Sequence, residues 1–339
     1  MTHPLLQLDN LRMVYNADTG ILARLTGRSD PPVIAADDVN LTLERGQTLA
    51  VVGESGSGKT TAGRIATLQE RPTQGRVLFE GEDVTGLTGT ALKAFRAKVQ
   101  MIFQNPYEAL NPRLTVGQSL AEPLALHGLV PRAELRAAVI EMLEAVELRP
   151  AKQFADAFPS ELSGGQLQRI AIARALIIKP RVVIADEPVS MLDVSIRSGV
   201  MKLMRALQRD TGVTYLYITH DLSVARYMAD RIAVLYLGAV VEEGPTEALI
   251  SSAAHPYTRL LIRAAPEHRS TDVKRNRIRL PDAAAQSGLP KGCRFHPRCP
   301  LAQPICRETT PPRTTVAAGQ VAACHFAQDV QAGRMAIPA

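Results

Sequence analysis

Tryptophan is absent from this chain of 339 residues, and aromatic residues make up only 4% of it. The hydrophobic core must therefore be built mainly from Ala, Val, Ile and Leu, which suits close packing of helices against a sheet. The chain also lacks an apolar run of the ~20 residues that cross a membrane, and its first residues lack the pattern of a signal peptide. We therefore expect a cytosolic α/β protein that would serve a membrane only from its surface.

Cysteine is missing from residues 1–292, and the four cysteines follow in a C-x5-C-x6-C-x17-C pattern. This spacing differs from the C-x2-C pairs of common zinc modules. Clustered cysteines in a reducing compartment favour metal ligation over disulfides. Both Zn²⁺ and a [4Fe–4S] cluster accept four thiolates, and buried thiols without a metal are the third interpretation. The candidate ligands are Cys293, Cys299, Cys306 and Cys324, with His296 and His325 as alternatives.

Basic residues are in modest excess, giving a net charge of +6, but they are dispersed along the chain. The one dense run lies at residues 274–279. Such a run is usually a solvated face, although anionic lipid or RNA could also bind it. We expect no nucleic-acid partner.

Hydrophobic patterning divides the chain into an α/β region and a loop-rich C-terminal extension. Short apolar runs predict strands at 5–15, 33–43, 48–52, 99–103, 181–185 and 213–219, and helical spacing predicts helices at 59–68 and 133–148. Residues 105–178 read as a helical subdomain. Nine of the 23 prolines fall in residues 265–339, so we predict one domain at 1–264 and an extension short of regular elements at 265–339.

A glycine-rich loop follows the strand at 48–52 and precedes the helix at 59–68. In this context, backbone N–H groups can surround a phosphate, and the helix dipole adds positive charge. Lys59 would reach the β- and γ-phosphates of a nucleotide, and the Thr60 hydroxyl would bind Mg²⁺. The residues that fit G-x-x-x-x-G-K-[ST] are Gly53, Glu54, Ser55, Gly56, Ser57, Gly58, Lys59 and Thr60.

Polar side chains stand at the ends of three other apolar runs, at Gln104, Asp186–Glu187 and His220. Ligands of open α/β sheets bind outside the carboxyl ends of the strands, so we expect these side chains to meet at one site. Asp186 suits the carboxylate that holds Mg²⁺. Glu187 is then placed to act as general base on the attacking water.

A second glycine-containing motif precedes an amphipathic helix and consists of Leu162, Ser163, Gly164, Gly165 and Gln166. Ser163 can cap that helix, and the glycines allow close backbone approach. This segment predicts a second anion site at a helix N-terminus, and an ordinary helix start is the alternative.

Together these motifs make residues 8–263 resemble the nucleotide-binding subunits of ABC transporters. The resemblance implies a P-loop NTPase fold, with a RecA-like core, an antiparallel β subdomain and a helical subdomain. It implies that the signature of one subunit covers the ATP held by another. It assigns Gln104 to the Q-loop, as a third Mg²⁺ ligand beside Thr60 and Asp186. It assigns His220 to the switch histidine that contacts the γ-phosphate, and Asp193 to the D-loop. Tyr15 matches the aromatic that stacks on adenine, and Thr61 joins the ATP-binding residues.

Three further segments resemble the oligopeptide/dipeptide (peptide/nickel) importer branch, namely residues 103–112, 255–261 and 293–300. The branch implies a second, non-identical ATPase subunit, two permeases contacted near residues 104–112, and indirectly an external solute-binding protein. The two ATPase subunits of such an importer belong to two types. The intact signature at 162–166 and the long insert after Tyr15 favour the second type for this chain. Met191 departs from the Ala common in the branch. Some members carry an iron–sulfur cluster, so we expect [4Fe–4S] here, with Zn²⁺ as the alternative.

The expected function is an ATP-hydrolysing subunit that powers uptake of di- or oligopeptides, or a related solute, through a separate permease. It would sit peripherally on the cytoplasmic face of the membrane. One alternative is a non-transport ABC ATPase acting on DNA or ribosomes, but the chain has neither two cassettes nor a long coiled-coil insertion. Another is a metal-sensing ATPase, in which hydrolysis would depend on the cysteine site.

Overall fold

The computed structural model describes residues 3–16, 32–264 and 289–337. The insert after Tyr15, the start of the extension at 265 and the basic run at 274–279 lie outside these residues. Within the described ranges, no helix is both long and apolar enough to span a bilayer.

Twelve strands and twelve helices make up the regular structure of the described residues. The strands are β1 Leu6–Tyr15, β2 Val33–Leu43, β3 Thr48–Val52, β4 Gln74–Phe79, β5 Glu82–Asp83, β6 Val99–Ile102, β7 Val182–Asp186, β8 Thr214–Thr219, β9 Arg231–Tyr236, β10 Ala239–Pro245, β11 Arg313–Ala317 and β12 Gln320–Ala323. The helices are α1 Lys59–Ala66, α2 Gly89–Lys98, α3 Val116–His127, α4 Leu135–Ala145, α5 Ala151–Asp156, α6 Gly164–Leu176, α7 Val194–Thr211, α8 Leu222–Met228, α9 Thr246–Ser251, α10 Pro256–Ala264, α11 Pro304–Glu308 and α12 Ala327–Gln331.

The main sheet has the strand order β11-β12-β10-β9-β3-β8-β7-β6, and its strands from β9 to β6 run parallel. Every residue of β3, β7 and β8 is buried, as expected for strands covered on both faces. The register pairs Val52 with Thr219, and Asp186 with Ile218. The carboxyl ends of β3, β7 and β8 therefore lie side by side, which brings the loops that follow them together.

A separate antiparallel sheet has the order β2-β1-β4-β5. Its apolar side chains share one hydrophobic cluster with α1 and with one face of the main sheet. The opposite face of the main sheet is covered by a second cluster, which includes residues of α3 to α7. The α/β fold class expected from the sequence is confirmed.

The C-terminal extension contains more regular structure than the sequence predicts. Strands β11 and β12 form a hairpin, and β12 continues the main sheet by pairing with β10, where Glu242 faces Ala322. The turn is made at Gly319, whose φ of +71° suits glycine. The prediction of an extension short of regular elements is therefore wrong for residues 304–331. Proline density misled it, because Pro304 stands at the start of α11, where proline is tolerated, and Pro311 and Pro312 lie in the loop before β11.

Candidate functional site

The loop after β3 passes so close to neighbouring backbone at two points that only glycine fits there. Gly58 has φ +97°, and a Cβ there would lie 2.2 Å from the carbonyl oxygen of Ala35. A Cβ on Gly53 would lie 2.3 Å from the carbonyl oxygen of Leu235. These close approaches wrap the loop tightly ahead of α1, so its N–H groups can turn inward around an anion.

The Lys59 ammonium lies inside this loop and is only 6% exposed. Its Nζ donates to the carbonyl oxygens of Gly53 and Glu54, both at 2.8 Å. Burial lowers the pKa of Lys59, although the nearby carboxylates oppose that effect. A buried ammonium that donates to backbone carbonyls can reorient toward a phosphate, because a charged oxygen is a stronger hydrogen-bond acceptor than a carbonyl oxygen.

Beside the loop, the Thr60 hydroxyl donates to Asp186 Oδ1 at 3.2 Å. Burial raises the pKa of Asp186, while the hydrogen bond from Thr60 acts against the rise. A hydroxyl and a carboxylate side by side are hard oxygen ligands, so this pair fits Mg²⁺. Gln104, the third predicted Mg²⁺ ligand, instead directs its hydrogen bonds to Glu187 and Ser190.

Glu187 is the centre of a small polar group at the ends of three neighbouring strands. Gln104 Nε2 lies 3.1 Å from Glu187 Oε2, and His220 Nδ1 lies 3.0 Å from Glu187 Oε1. Glu187 itself has φ +46°, an uncommon backbone conformation, and its N–H donates to the carbonyl of Ile218 at 2.9 Å. The convergence expected from the strand ends is thus present in the geometry.

Tyr15 lies at the end of β1, close to α1. Its hydroxyl donates to Glu70 and lies 3.5 Å from the Thr61 hydroxyl. Burial, followed by the bond to Glu70, raises the pKa of Tyr15. The structure therefore brings Tyr15 and Thr61 together. Sequence patterns did not reveal Glu70, because no motif marks a residue after α1.

The glycine pair at 164–165 forms the start of α6. Ser163 caps this helix in a capping box with Gln166: the Ser163 N–H donates to Gln166 Oε1 at 2.9 Å, and the Gln166 N–H donates to Ser163 Oγ at 3.4 Å. A Cβ on Gly164 would meet nothing within 4 Å, so its outer side is open. Asp193, which precedes α7, is exposed as well. In the described residues the side-chain hydrogen bonds of Ser163 and Gln166 stay within the capping box.

The four cysteines line one small pocket in the extension, together with His255, His296 and His325. All four are free thiols. Burial raises the pKa of Cys299 to about 11 and that of Cys324 to about 12, and it also raises the pKa of Cys293. These three thiols are therefore neutral at pH 7 in the absence of a cation.

The pocket is not a preassembled metal site. Its cavity of about 10 Å³ holds about one water molecule. Across residues 3–16, 32–264 and 289–337, no three Cys, His, Asp or Glu side chains converge at metal-binding distance. His296 Nδ1 lies 2.9 Å from the Cys293 carbonyl, and His325 Nε2 lies 2.9 Å from the Thr309 carbonyl. The residue types fit a metal or a cluster, but the thiols would have to converge and deprotonate to bind one.

Comparison with known proteins places this geometry in a family. Residues 36–190 match the family described as ABC transporter, and residues 241–306 match the oligopeptide/dipeptide transporter C-terminal region. The chain is 43% identical to the oligopeptide transport ATP-binding protein AppF of Bacillus subtilis, over 95% of this chain and 97% of the relative. It is 42% identical to the dipeptide transport ATP-binding protein DppF of Escherichia coli, over 97% of this chain and 96% of the relative.

Solved structures agree with this placement. The dimeric, post-hydrolysis structure of the ATP-binding cassette MJ0796 bound to ADP and Pi superposes with a TM-score of 0.62 at 32% identity, covering 71% of this chain and 98% of that one. The P-loop NTPase fold and the ATPase class expected from the motifs are confirmed. The chain belongs to the ABC transporter family, as an ATP-binding subunit of its oligopeptide/dipeptide branch.

Proposed function

We propose that this ATPase subunit binds MgATP on the phosphate loop and hydrolyses it at Glu187 to power uptake of di- or oligopeptides. The observation that carries the proposal is the meeting of Gln104 and His220 on Glu187, beside the buried pair of Thr60 and Asp186. Three strand ends contribute one carboxylate and two groups that orient it. This arrangement suits the activation of a water molecule for attack on a phosphate.

Each residue then has a defined role. Loop N–H groups and Lys59 bind the phosphates, Tyr15 stacks on the adenine, and Thr61 contributes to ATP binding. Thr60 and Asp186 would hold Mg²⁺, which neutralises phosphate charge when bound. Glu187 takes a proton from the attacking water, and Gln104 and His220 keep its carboxylate oriented.

The Glu187→Gln variant tests the catalytic assignment. It preserves the shape of the side chain but removes the base, so MgATP binding should persist while phosphate release falls by at least a hundredfold. Binding is measured by calorimetry and turnover by phosphate release. The assignment is wrong if the variant hydrolyses ATP at the wild-type rate.

We also infer that ATP is enclosed between two subunits. Gly164 has an open outer side at the start of α6 and Asp193 is exposed, which supports the action of this surface on a partner's nucleotide. The dimeric state of the MJ0796 cassette supports the same arrangement. The partner in this branch is a non-identical ATPase subunit.

The segment 104–112 is the proposed contact with the permeases, at the cytoplasmic face of the membrane. It begins at Gln104, which touches Glu187, and it exposes 57% of Tyr107. A permease that contacts this segment would therefore act on the general base Glu187 through the side chain of Gln104. The names of the AppF and DppF relatives support a peptide as the transported solute.

For the extension, we propose a [4Fe–4S] cluster held by Cys293, Cys299, Cys306 and Cys324, with Zn²⁺ as the alternative. The support is that four free thiols line one pocket. Anaerobically purified full-length chain should contain about four iron and four sulfide per chain and absorb visible light. Stoichiometric zinc without iron would establish the alternative. If the purified chain contained neither metal, the cysteines would be plain thiols and the proposal would be wrong.

A further inference from the structure

A seven-residue segment of the extension, residues 293–299, joins the cysteine pocket to the nucleotide site; we call it the cysteine loop. Its two end residues, Cys293 and Cys299, line the pocket. Its arginines contact residues of the cassette instead. Arg294 NH1 donates to the Leu237 carbonyl at 2.6 Å, and Arg294 NH2 donates to the carboxylate of Asp37 on β2. The cysteine loop therefore lies between the two sites.

The second arginine reaches the phosphate loop itself. Arg298 NH1 lies 2.9 Å from Glu54 Oε2, and Arg298 NH2 lies 3.0 Å from Glu54 Oε1. NH1 also donates to the Tyr236 hydroxyl at 3.2 Å, and the guanidinium stands over the Tyr236 ring, 5.6 Å from its centroid. The arginine side chain is only 8% exposed. An ion pair with two hydrogen bonds, whose arginine is buried and whose glutamate is one-third exposed, fixes both position and charge.

Glu54 is the second residue of the phosphate loop, and each of its groups has a partner. Its N–H donates to the Tyr257 hydroxyl at 3.1 Å, its carbonyl accepts from Lys59 at 2.8 Å, and its carboxylate binds Arg298. The Glu54 charge also reaches Lys59, because it contributes to raising the pKa of that lysine against the effect of burial. A carboxylate this close to the phosphate-binding lysine would repel a triphosphate unless a cation balanced it.

We propose that Arg298 is a positioning residue for the nucleotide site: it neutralises Glu54 and holds the phosphate loop in the form that accepts a triphosphate. The inference rests on the proposed ATP site. It gives the extension a direct part in ATP binding, through a contact independent of any metal in the cysteine pocket. Burial works against the charged form of Arg298, but its bonds to Glu54 and Tyr236 outweigh burial and keep its pKa high.

The test measures MgATP binding to the full-length chain by calorimetry at low and high salt. Arg298→Ala leaves the Glu54 charge uncompensated, so affinity should fall about tenfold at low salt, the effect of one nearby unit charge. Salt screens this repulsion, so the ratio of wild-type to variant affinity should shrink as ionic strength rises. Arg298→Lys keeps the charge and should recover part of the loss.

The double variant Arg298→Ala with Glu54→Gln distinguishes the loss of charge compensation at Glu54 from the loss of a structural contact to the phosphate loop. Removing the uncompensated carboxylate should restore most of the lost affinity. The matched control is Arg334→Ala, which removes an exposed pair with Asp329 in the same extension and should bind MgATP like the wild type. The inference is overturned if Arg298→Ala binds normally, or if its defect is independent of salt and is not relieved by Glu54→Gln.

Lys59→Ala, measured alongside, reports on the ATP site itself. If Lys59→Ala binds MgATP as tightly as the wild type, the proposed site is wrong, whatever the Arg298 variants do. If Lys59→Ala loses binding while Arg298→Ala keeps it, the site is correct and only the role of Arg298 is refuted.

Discussion

His255 is a buried histidine whose environment keeps it neutral. It is 1% exposed, its Nδ1 accepts from the Tyr257 N–H at 3.1 Å, and its ring packs near Phe295. Burial lowers its pKa from 6.5 to about 3. A histidine with a depressed pKa in the folded state favours folding above pH 6.5, and this contribution is lost as pH falls toward 3.

Replacement of His255 by Asn should therefore make the protein less sensitive to acid. The Asn oxygen can accept the same N–H bond but cannot take up a proton. Between pH 6 and pH 4, the free energy of unfolding should fall by about 1.4 kcal/mol less per pH unit than in the wild type. Urea unfolding at pH 8, 6 and 4 checks this, and parallel curves for the two proteins would contradict it.

The convergence of polar side chains at the candidate site was largely predictable from the sequence. Gln104, Glu187 and His220 stand at the ends of apolar runs, and parallel strands necessarily gather such ends at one side of a sheet. Glu70 and Arg298 were not predictable in this way. Their partners, Tyr15 and Glu54, are 55 and 244 residues away in the chain, and no local pattern encodes such contacts.

The turn between β3 and α1 depends on a glycine for two separate reasons. Gly58 has a positive φ, and a Cβ there would also clash with the Ala35 carbonyl oxygen at 2.2 Å. Gly56 has φ +77° as well, but a Cβ there would meet nothing within 4 Å. Substitutions at Gly56 and Gly58 can therefore distinguish the cost of a positive φ from the cost of a steric clash.

Gly58→Ala should cost more stability than Gly56→Ala. The Gly56 variant should lose about 1 kcal/mol through its positive φ alone, and the Gly58 variant should lose at least twice that amount and weaken MgATP binding. Denaturant unfolding and calorimetry measure both quantities. Equal losses for the two variants would mean that β2 shifts easily away from the loop.

Strand β12 is attached to the core by a buried carboxylate. Glu242 on β10 is 1% exposed and accepts from the N–H groups of Ala254 and His255 at 2.7 and 3.0 Å, and from Gln320 Nε2 at 2.9 Å. A polar group that is buried this deeply is tolerable only because its acceptors are satisfied. It joins β10, the start of α10 and the extension.

Glu242→Gln should destabilise the protein by about 2–4 kcal/mol, since the amide turns an NH₂ group toward N–H donors. The matched control is Glu247→Gln, in an exposed pair with Arg226, which should leave the free energy of unfolding nearly unchanged. Thermal and urea unfolding measure both. Similar small effects would show that the extension is attached chiefly by apolar packing.

Strand and helix positions followed from the sequence wherever periodicity was strong. The predicted strand at 33–43 agrees with β2, and the predicted helix at 133–148 contains α4. The hairpin of β11 and β12 was missed because its strands are short and only partly buried, so their apolar pattern is weak. Their place in the sheet depends on pairing with β10, a long-range contact that local pattern does not report.

Association is the property that concerns the molecule as a whole. If the partner is a non-identical ATPase, the Glu187→Gln chain alone in MgATP should remain monomeric, and it should form a stable 1:1 complex only when the second subunit is added. Sedimentation velocity with and without MgATP measures this. A stoichiometric dimer of this chain alone would mean that two copies complete each other's sites.

The strand pairing of the extension has a consequence for how the protein stays in solution. Strand β10 would end the main sheet if β12 did not cover it, and its unpaired backbone groups would then be free to recruit a strand from another molecule. The outermost strand is instead β11, in which half-buried and exposed residues alternate and which begins with Arg313. The extension thus protects the sheet edge from pairing with other molecules, and a chain cut short at residue 264 should self-associate.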